Sequence, residues 1–174
     1  MGGFVTILGT ALPFHILSYG TLLGTELYQS FVNTKVCFQE LPMREFLILQ
    51  RRVFPVYFKL QVGLAMLTAA THPSRSILSL ARDPWGAVPL AVVIGMGTLN
   101  WLVYGPRTTQ CAFVRRALDR EEGQAGAGVN DKKVSQAKRN FTFNHAMCIH
   151  LNAIALVATV CYGMSLASRL EVKV

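Results

Sequence analysis

The sequence predicts an all-α, polytopic membrane protein: four transmembrane helices in a bundle, with helical extensions into the cytosolic loops. Three observations carry that prediction. The chain of 174 residues is 52% hydrophobic and 15% charged, with mean hydropathy +0.37, too apolar for an ordinary soluble domain of this length. Three uncharged runs, Phe4–Thr25, Trp85–Tyr104 and Ala146–Ser168, hold 22, 20 and 23 residues. Each matches the roughly 20 residues that a helix needs to cross a bilayer core. The net charge of +8 lies in the segments between these runs, which suits contact with anionic lipid headgroups rather than nucleic acid.

The chain reads as a single domain, 1–174, with spans at about 4–32, 53–72, 85–105 and 145–168. On the first span, Gly20 and Gly24 form a G-x-x-x-G that lets another helix approach closely, and Glu26 follows them. Leu41-Pro42 punctuates the chain. Met43–Phe54 then mixes Phe46, Leu47 and Leu49 with Arg44, Arg51 and Arg52, as an interfacial helix does, and Pro55 starts or kinks the next span. Val53–Thr71 carries one charge, Lys59, and His72-Pro73 ends it. Trp101 and Tyr104 mark an interface at the end of the third span, where Gly105-Pro106 is expected to disturb the helix. Residues 106–144 form a basic, helical, cytosolic loop whose tip, 123–130, is low in complexity and flexible. The four cysteines, Cys37, Cys111, Cys148 and Cys161, have no metal-binding or redox spacing.

Orientation follows from the basic residues. Of 17 Lys and Arg, 13 lie in the two long connections, from Lys35 to Lys59 and from Arg107 to Arg139, and 4 lie elsewhere. The positive-inside rule places both connections in the cytosol and both termini in the lumen or outside the cell. The membrane is an endomembrane or the plasma membrane. Glu26, Lys59, Asn100, Arg107, His145 and Asn152 come from all four spans and fall in the cytosolic half. Polar groups in hydrocarbon need partners, so these six are the candidate polar cluster. A haem site built from His15, His72, His145 and His150 is disfavoured, because His145 and His150 lie on different helix faces. No cofactor and no metal are expected. Without an acidic pair, a nucleophile–base motif or a P-loop, no enzyme is expected either.

Three blocks point to a family. One runs from His15 to Phe58 and holds Gly24, Phe31, Val32, Leu41-Pro42 and Gln50-Arg51-Arg52-Val53-Phe54-Pro55-Val56-Tyr57-Phe58. Another is Asn100 followed by Pro106-Arg107-Thr108-Thr109, and the third is Asn140-Phe141, His145 and Asn152. In these the chain resembles the transmembrane protein 205 family of small four-span membrane proteins. It departs at Glu26, where a neutral residue is expected, and at Lys59, where histidine is more usual; the two are expected to compensate each other as a pair. The resemblance implies a four-helix membrane bundle linked to drug resistance and vesicular membranes, with no established reaction. Two functions follow: assistance to export or vesicular trafficking of small solutes through the cytosol-facing polar cluster, or a non-catalytic helical adaptor or assembly subunit of a membrane complex. The expected partners are lipid headgroups at the basic loops and either a second copy packed through Gly20 and Gly24 or another membrane subunit.

The orientation is open to test. A tag on Val174 is expected to resist protease in sealed vesicles that expose only their cytosolic face, and its digestion would overturn the assignment. The Asn140-Phe141-Thr142 sequon is expected to carry no glycan, because its loop faces the cytosol.

Overall fold

A computed structural model describes residues 10–72, 80–125 and 131–169, all of the regular structure among them helical. The start of the first span, part of the 123–130 tip and the chain end at Val174 lie outside the described residues. Helix α1 (Leu12–Leu27) passes through a π-helical turn, Tyr28–Asn33, into α2 (Thr34–Glu40). After a sharp corner come α3 (Met43–Ala70) and α4 (Pro84–Leu99). A second π-helical turn, Asn100–Tyr104, joins α4 to α5 (Gly105–Ala125), and α6 is Asp131–Ala167.

Proline chemistry makes the corner. Pro42 forces Leu41 out of helical space, to φ −103° and ψ 139°, and then starts α3 as its N-cap. Phe38 and Phe46 pack edge to face across it, with centroids 5.4 Å apart. One sequence expectation is corrected here: the span does not start at Pro55, because the segment before it and the span after it form one helix of 28 residues. The disturbance expected at Gly105-Pro106 is a π-helical turn that the helix passes through without ending. The Gly105 N–H reaches back five residues to the Asn100 carbonyl, and this wider turn absorbs a proline that cannot donate and whose ring would collide with the carbonyl four residues back.

Among the described residues three helical stretches are long and apolar enough to cross a membrane: Met43–Ala70, Pro84–Glu121 and Lys132–Ala167. The last two have 38 and 36 residues, about 55 Å at 1.5 Å per residue, so they outrun a hydrocarbon core of roughly 30 Å. Their surplus stands at the end that carries the two basic connections. Helix α1 packs on α3 and α6, α4 packs on the same two helices, and α5 packs on α3 and α6.

At the centre, Leu22, Ala65 and Val93 are fully buried and touch Leu64, Ile94 and Ala158, so every long helix contributes. Polar layers lie on both sides of this apolar one. His15, Ser18, Glu26, Gln29, Gln50, Gln61, Thr68, Asn100 and Thr159 are all buried. Large apolar side chains face outward instead: Met164 is 70% exposed, Leu17 67% and Val56 65%. That inversion suits a surface solvated by lipid, where backbone and side-chain polar groups must be satisfied from within.

Gly20 and Gly24 are exposed, and among the described residues a Cβ on either would find no atom within 4 Å. Gly105 is the opposite case, since a Cβ there would stand 2.5 Å from the Asn100 carbonyl oxygen and 3.4 Å from the Phe58 ring. Gly105→Ala is therefore expected to destabilise the protein by roughly 1–3 kcal/mol, as overpacking does, while Gly24→Ala is neutral or mildly stabilising. Unfolding midpoints of the two variants in detergent check this, and equal midpoints would contradict the wide turn.

Candidate functional site: a polar-lined cavity at the loop-bearing end

The wide turns deliver polar groups into the interior. In the first, the Thr34 N–H and hydroxyl both donate to the Gln29 carbonyl, the hydroxyl at 2.9 Å. That doubly held carbonyl stabilises the π geometry and leaves Gln29 buried, its side-chain oxygen accepting from Asn33 at 2.8 Å. Ser30, on the same turn, accepts from the Asn152 amide at 2.9 Å. The Asn152 side-chain oxygen accepts from the Tyr57 hydroxyl at 2.7 Å, so Asn152 ties α6 to the first turn and to α3. In the second turn, fully buried Asn100 donates to the Cys148 carbonyl at 3.1 Å. In helical register that carbonyl also accepts the Asn152 N–H, so Asn100 and Asn152 meet at one turn of α6.

One layer towards the centre lies Glu26, fully buried, with one carboxylate oxygen accepting from the Gln61 amide at 2.7 Å. Gly97 makes room for that amide, since a Cβ there would stand 3.0 Å from the Gln61 side-chain oxygen. The Glu26–Lys59 pair expected from the sequence is not formed. Lys59 lies two residues before Gln61 and so on the opposite face of α3, exposed, with its ammonium 5.5 Å from the Trp101 ring centroid. Arg107 is likewise exposed on α5. His145 stacks on Phe141 at 5.2 Å, four residues back on α6.

These elements line a partly open cavity of about 430 Å³. Phe31, Phe46, Phe54, Phe58, Phe113 and Phe141 line it, and Gln29, Ser30, Gln50, Thr108, His145 and Asn152 are among its polar groups. Among its described lining residues there is one cation, Arg51, and no carboxylate. Arg51 holds its guanidinium 5.8 Å from the Phe113 centroid. Gln50 is 5% exposed, yet among the described residues neither atom of its amide has a hydrogen-bond partner. The Thr108 hydroxyl and the Asn100 side-chain oxygen also lack one. Leaving a buried polar atom unmatched costs about 1–3 kcal/mol, so an apolar cavity that retains several is unusual for a purely structural core.

The structure thus gathers Asn100, His145 and Asn152 at or beside the cavity, sets Glu26 one layer away, and leaves Lys59 and Arg107 on the outside. Gln50, Gln61 and Ser30 were missed. Gln50, Tyr57, Gln61 and Thr68 recur at steps of seven, four and seven along one face of α3, a seam that the neighbouring arginines obscured. His15, set aside with the haem reading, has both ring nitrogens engaged. Nδ1 donates to the Thr68 carbonyl at 3.0 Å, and Nε2 accepts from the Tyr162 hydroxyl at 2.8 Å. His72 stands edge-on to it at 5.6 Å. Among the described residues no three His, Cys, Asp or Glu side chains gather to hold a metal. At that far end Arg169 grips Asp83 through both guanidinium nitrogens, the second pair at 2.8 Å, joining the end of α6 to the start of α4. The Arg169 hydrogen bonds hold the Asp83 carboxyl below its ordinary range.

Long apolar helices around a polar interior define an integral membrane protein with a partly open cavity at one end. The chain belongs to the family described as a domain of unknown function (DUF4149), which matches residues 17–117. It is 51% identical to the "Xanthocillin biosynthesis cluster protein D" of Aspergillus fumigatus over 170 residues, 98% of this chain and 97% of that one. It is 26% identical to "Transmembrane protein 205" of Danio rerio over 112 residues, 63% of this chain and 59% of the zebrafish protein. No solved structure matches the chain.

The Asn152 bridge can be measured. Interhelical hydrogen bonds in membranes average about 0.6 kcal/mol, so Asn152→Leu, which loses two, is expected to cost roughly 1 kcal/mol in reversible unfolding. In a double-mutant cycle, Tyr57→Phe and Asn152→Leu are expected to couple by about the value of one such bond. Strict additivity would mean that the bond is not made.

Proposed function

We propose that this protein is a non-catalytic, four-span membrane protein that assists the export or vesicular trafficking of small solutes, which it takes up in the cavity. One observation carries the reading. The cavity is walled at the loop-bearing end by the first π-helical turn, α3, α5 and α6, and it keeps buried hydrogen-bonding groups without a partner among the described residues. In this reading α1 and its wide turn, of 16 and 6 residues, form the fourth span beside the three long helices. Their outward side chains, Phe14, Leu17 and Phe31, suit contact with lipid. The positive-inside rule then opens the cavity towards the cytosol, where a solute made inside the cell is collected.

Two relatives support the reading. The printed name of the Aspergillus protein ties it to a biosynthesis cluster, a setting that supplies a small molecule to be handled. The zebrafish match, to a protein named transmembrane protein 205, supports the resemblance to that family. The adaptor reading draws on a different observation. Gly20 and Gly24 face outward with open space before them, which suits a helix of a second copy or of a membrane complex. The basic loops would then hold the assembly against anionic headgroups.

Solute movement separates the two readings. Proteoliposomes are expected to move an apolar fluorescent solute faster than empty vesicles do. Asn152→Leu is expected to slow it roughly tenfold, as the loss of about 1.4 kcal/mol in a site does, while insertion stays normal. Transport unchanged by Asn152→Leu, or absent altogether, would favour the adaptor.

A further inference from the structure

We infer that the cavity takes a neutral, planar aromatic molecule whose edge carries an adjacent donor and acceptor, as an aromatic lactam or amide does. Gln50 is the determinant. It is 5% exposed and lines the cavity, and among the described residues neither its amide oxygen nor its amide nitrogen has a partner. A primary amide offers an acceptor and donors side by side in one plane, so its complement is a planar group with one of each. A lactam or secondary cis amide meets both atoms at once, whereas an ether or a tertiary amine meets one at most. The unmatched Thr108 hydroxyl lies in the same wall and can donate to a carbonyl or accept from an N–H.

The rest of the lining selects the body that carries this edge. Six phenyl rings surround the space, and Arg51 above Phe113 continues their stacking surface to the rim. A volume near 430 Å³ falls in the range of sites for small organic ligands and suits two or three fused or linked rings. No carboxylate among the described lining residues compensates a cation, so protonated amines are disfavoured. The selection is therefore threefold: aromatic, uncharged, and with both hydrogen-bonding functions on one edge.

This inference rests on the small-solute reading above, yet it is scored by binding alone. The full-length protein in phosphatidylcholine nanodiscs is titrated with 2-quinolone, a fluorescent aromatic lactam, with empty nanodiscs as the baseline for partitioning. Saturable binding is expected. N-methyl-2-quinolone, which has lost the donor, should bind roughly tenfold more weakly, and the 1-methylquinolinium cation weaker still. Gln50→Leu should lose about tenfold in lactam affinity while its unfolding midpoint stays at or above that of the parent, because the amide it removes bonds nothing in the protein. Thr108→Val should lower affinity in the same direction, and it carries the test if Gln50→Leu fails to fold. Equal binding of the lactam and its N-methyl derivative would overturn the inference. So would an unchanged affinity in both variants, or uptake no greater than that of empty nanodiscs, the result expected if lipid acyl chains fill the space. Lactam binding without transport would sink the export reading and spare this one; transport without lactam binding would do the reverse.

Discussion

A bilayer core supplies no water, and the rest of this structure depends on how the chain meets that constraint. Along the apolar stretches, polar side chains such as Gln61, Asn100 and Thr159 are buried, while large apolar ones such as Leu17, Val56 and Met164 face outward. The interior is therefore joined by hydrogen bonds around a thin apolar layer at Leu22, Ala65 and Val93. Single bonds of this kind contribute little to stability in membranes. Their consequence is register: Tyr57 to Asn152 to Ser30, or Thr68 to His15 to Tyr162, can form at one vertical alignment of three helices and at no other.

The two π-helical turns follow from the same economy of partners. A wide turn frees the helix from its regular repeat and re-aims the side chains that follow. Here one brings Ser30 to the cavity, while the other buries Asn100 and lets the helix continue past Pro106. They come from different parts of the chain, yet Ser30 and Asn100 bond to the same turn of α6, at Asn152 and Cys148. Gly105 is required beside the second turn for a local reason, the closeness of the Asn100 carbonyl, and not for flexibility.

The helical class was legible because uncharged runs of 20 or more residues have few other fates. Asn100 and Asn152 were legible for a related reason: an amide inside such a run has to find a partner. Helix continuity through Pro55 and Pro106 was hidden, because proline signals a break and tertiary packing overrides it. Lys59 and Glu26 misled because opposite charges invite pairing, whereas helical phase sets Lys59 facing outward and gives Glu26 to Gln61. Gln50 stayed unseen beside Arg51 and Arg52. A neutral amide next to two charges reads as surface, and its burial depends on packing with distant parts of the chain such as α5.

The ion pair between Asp83 and Arg169 divides the molecule mechanically. It clamps the start of α4 to the end of α6, close to the hydrogen-bonded ring of His15, Thr68 and Tyr162. The far end is cross-braced, whereas the cavity end is held by aromatic stacking, the Asn152 bridge and two π-helical turns. The two ends are thus fastened by different chemistry: paired charge and a histidine-centred hydrogen-bond chain at one, aromatic and amide contacts at the other.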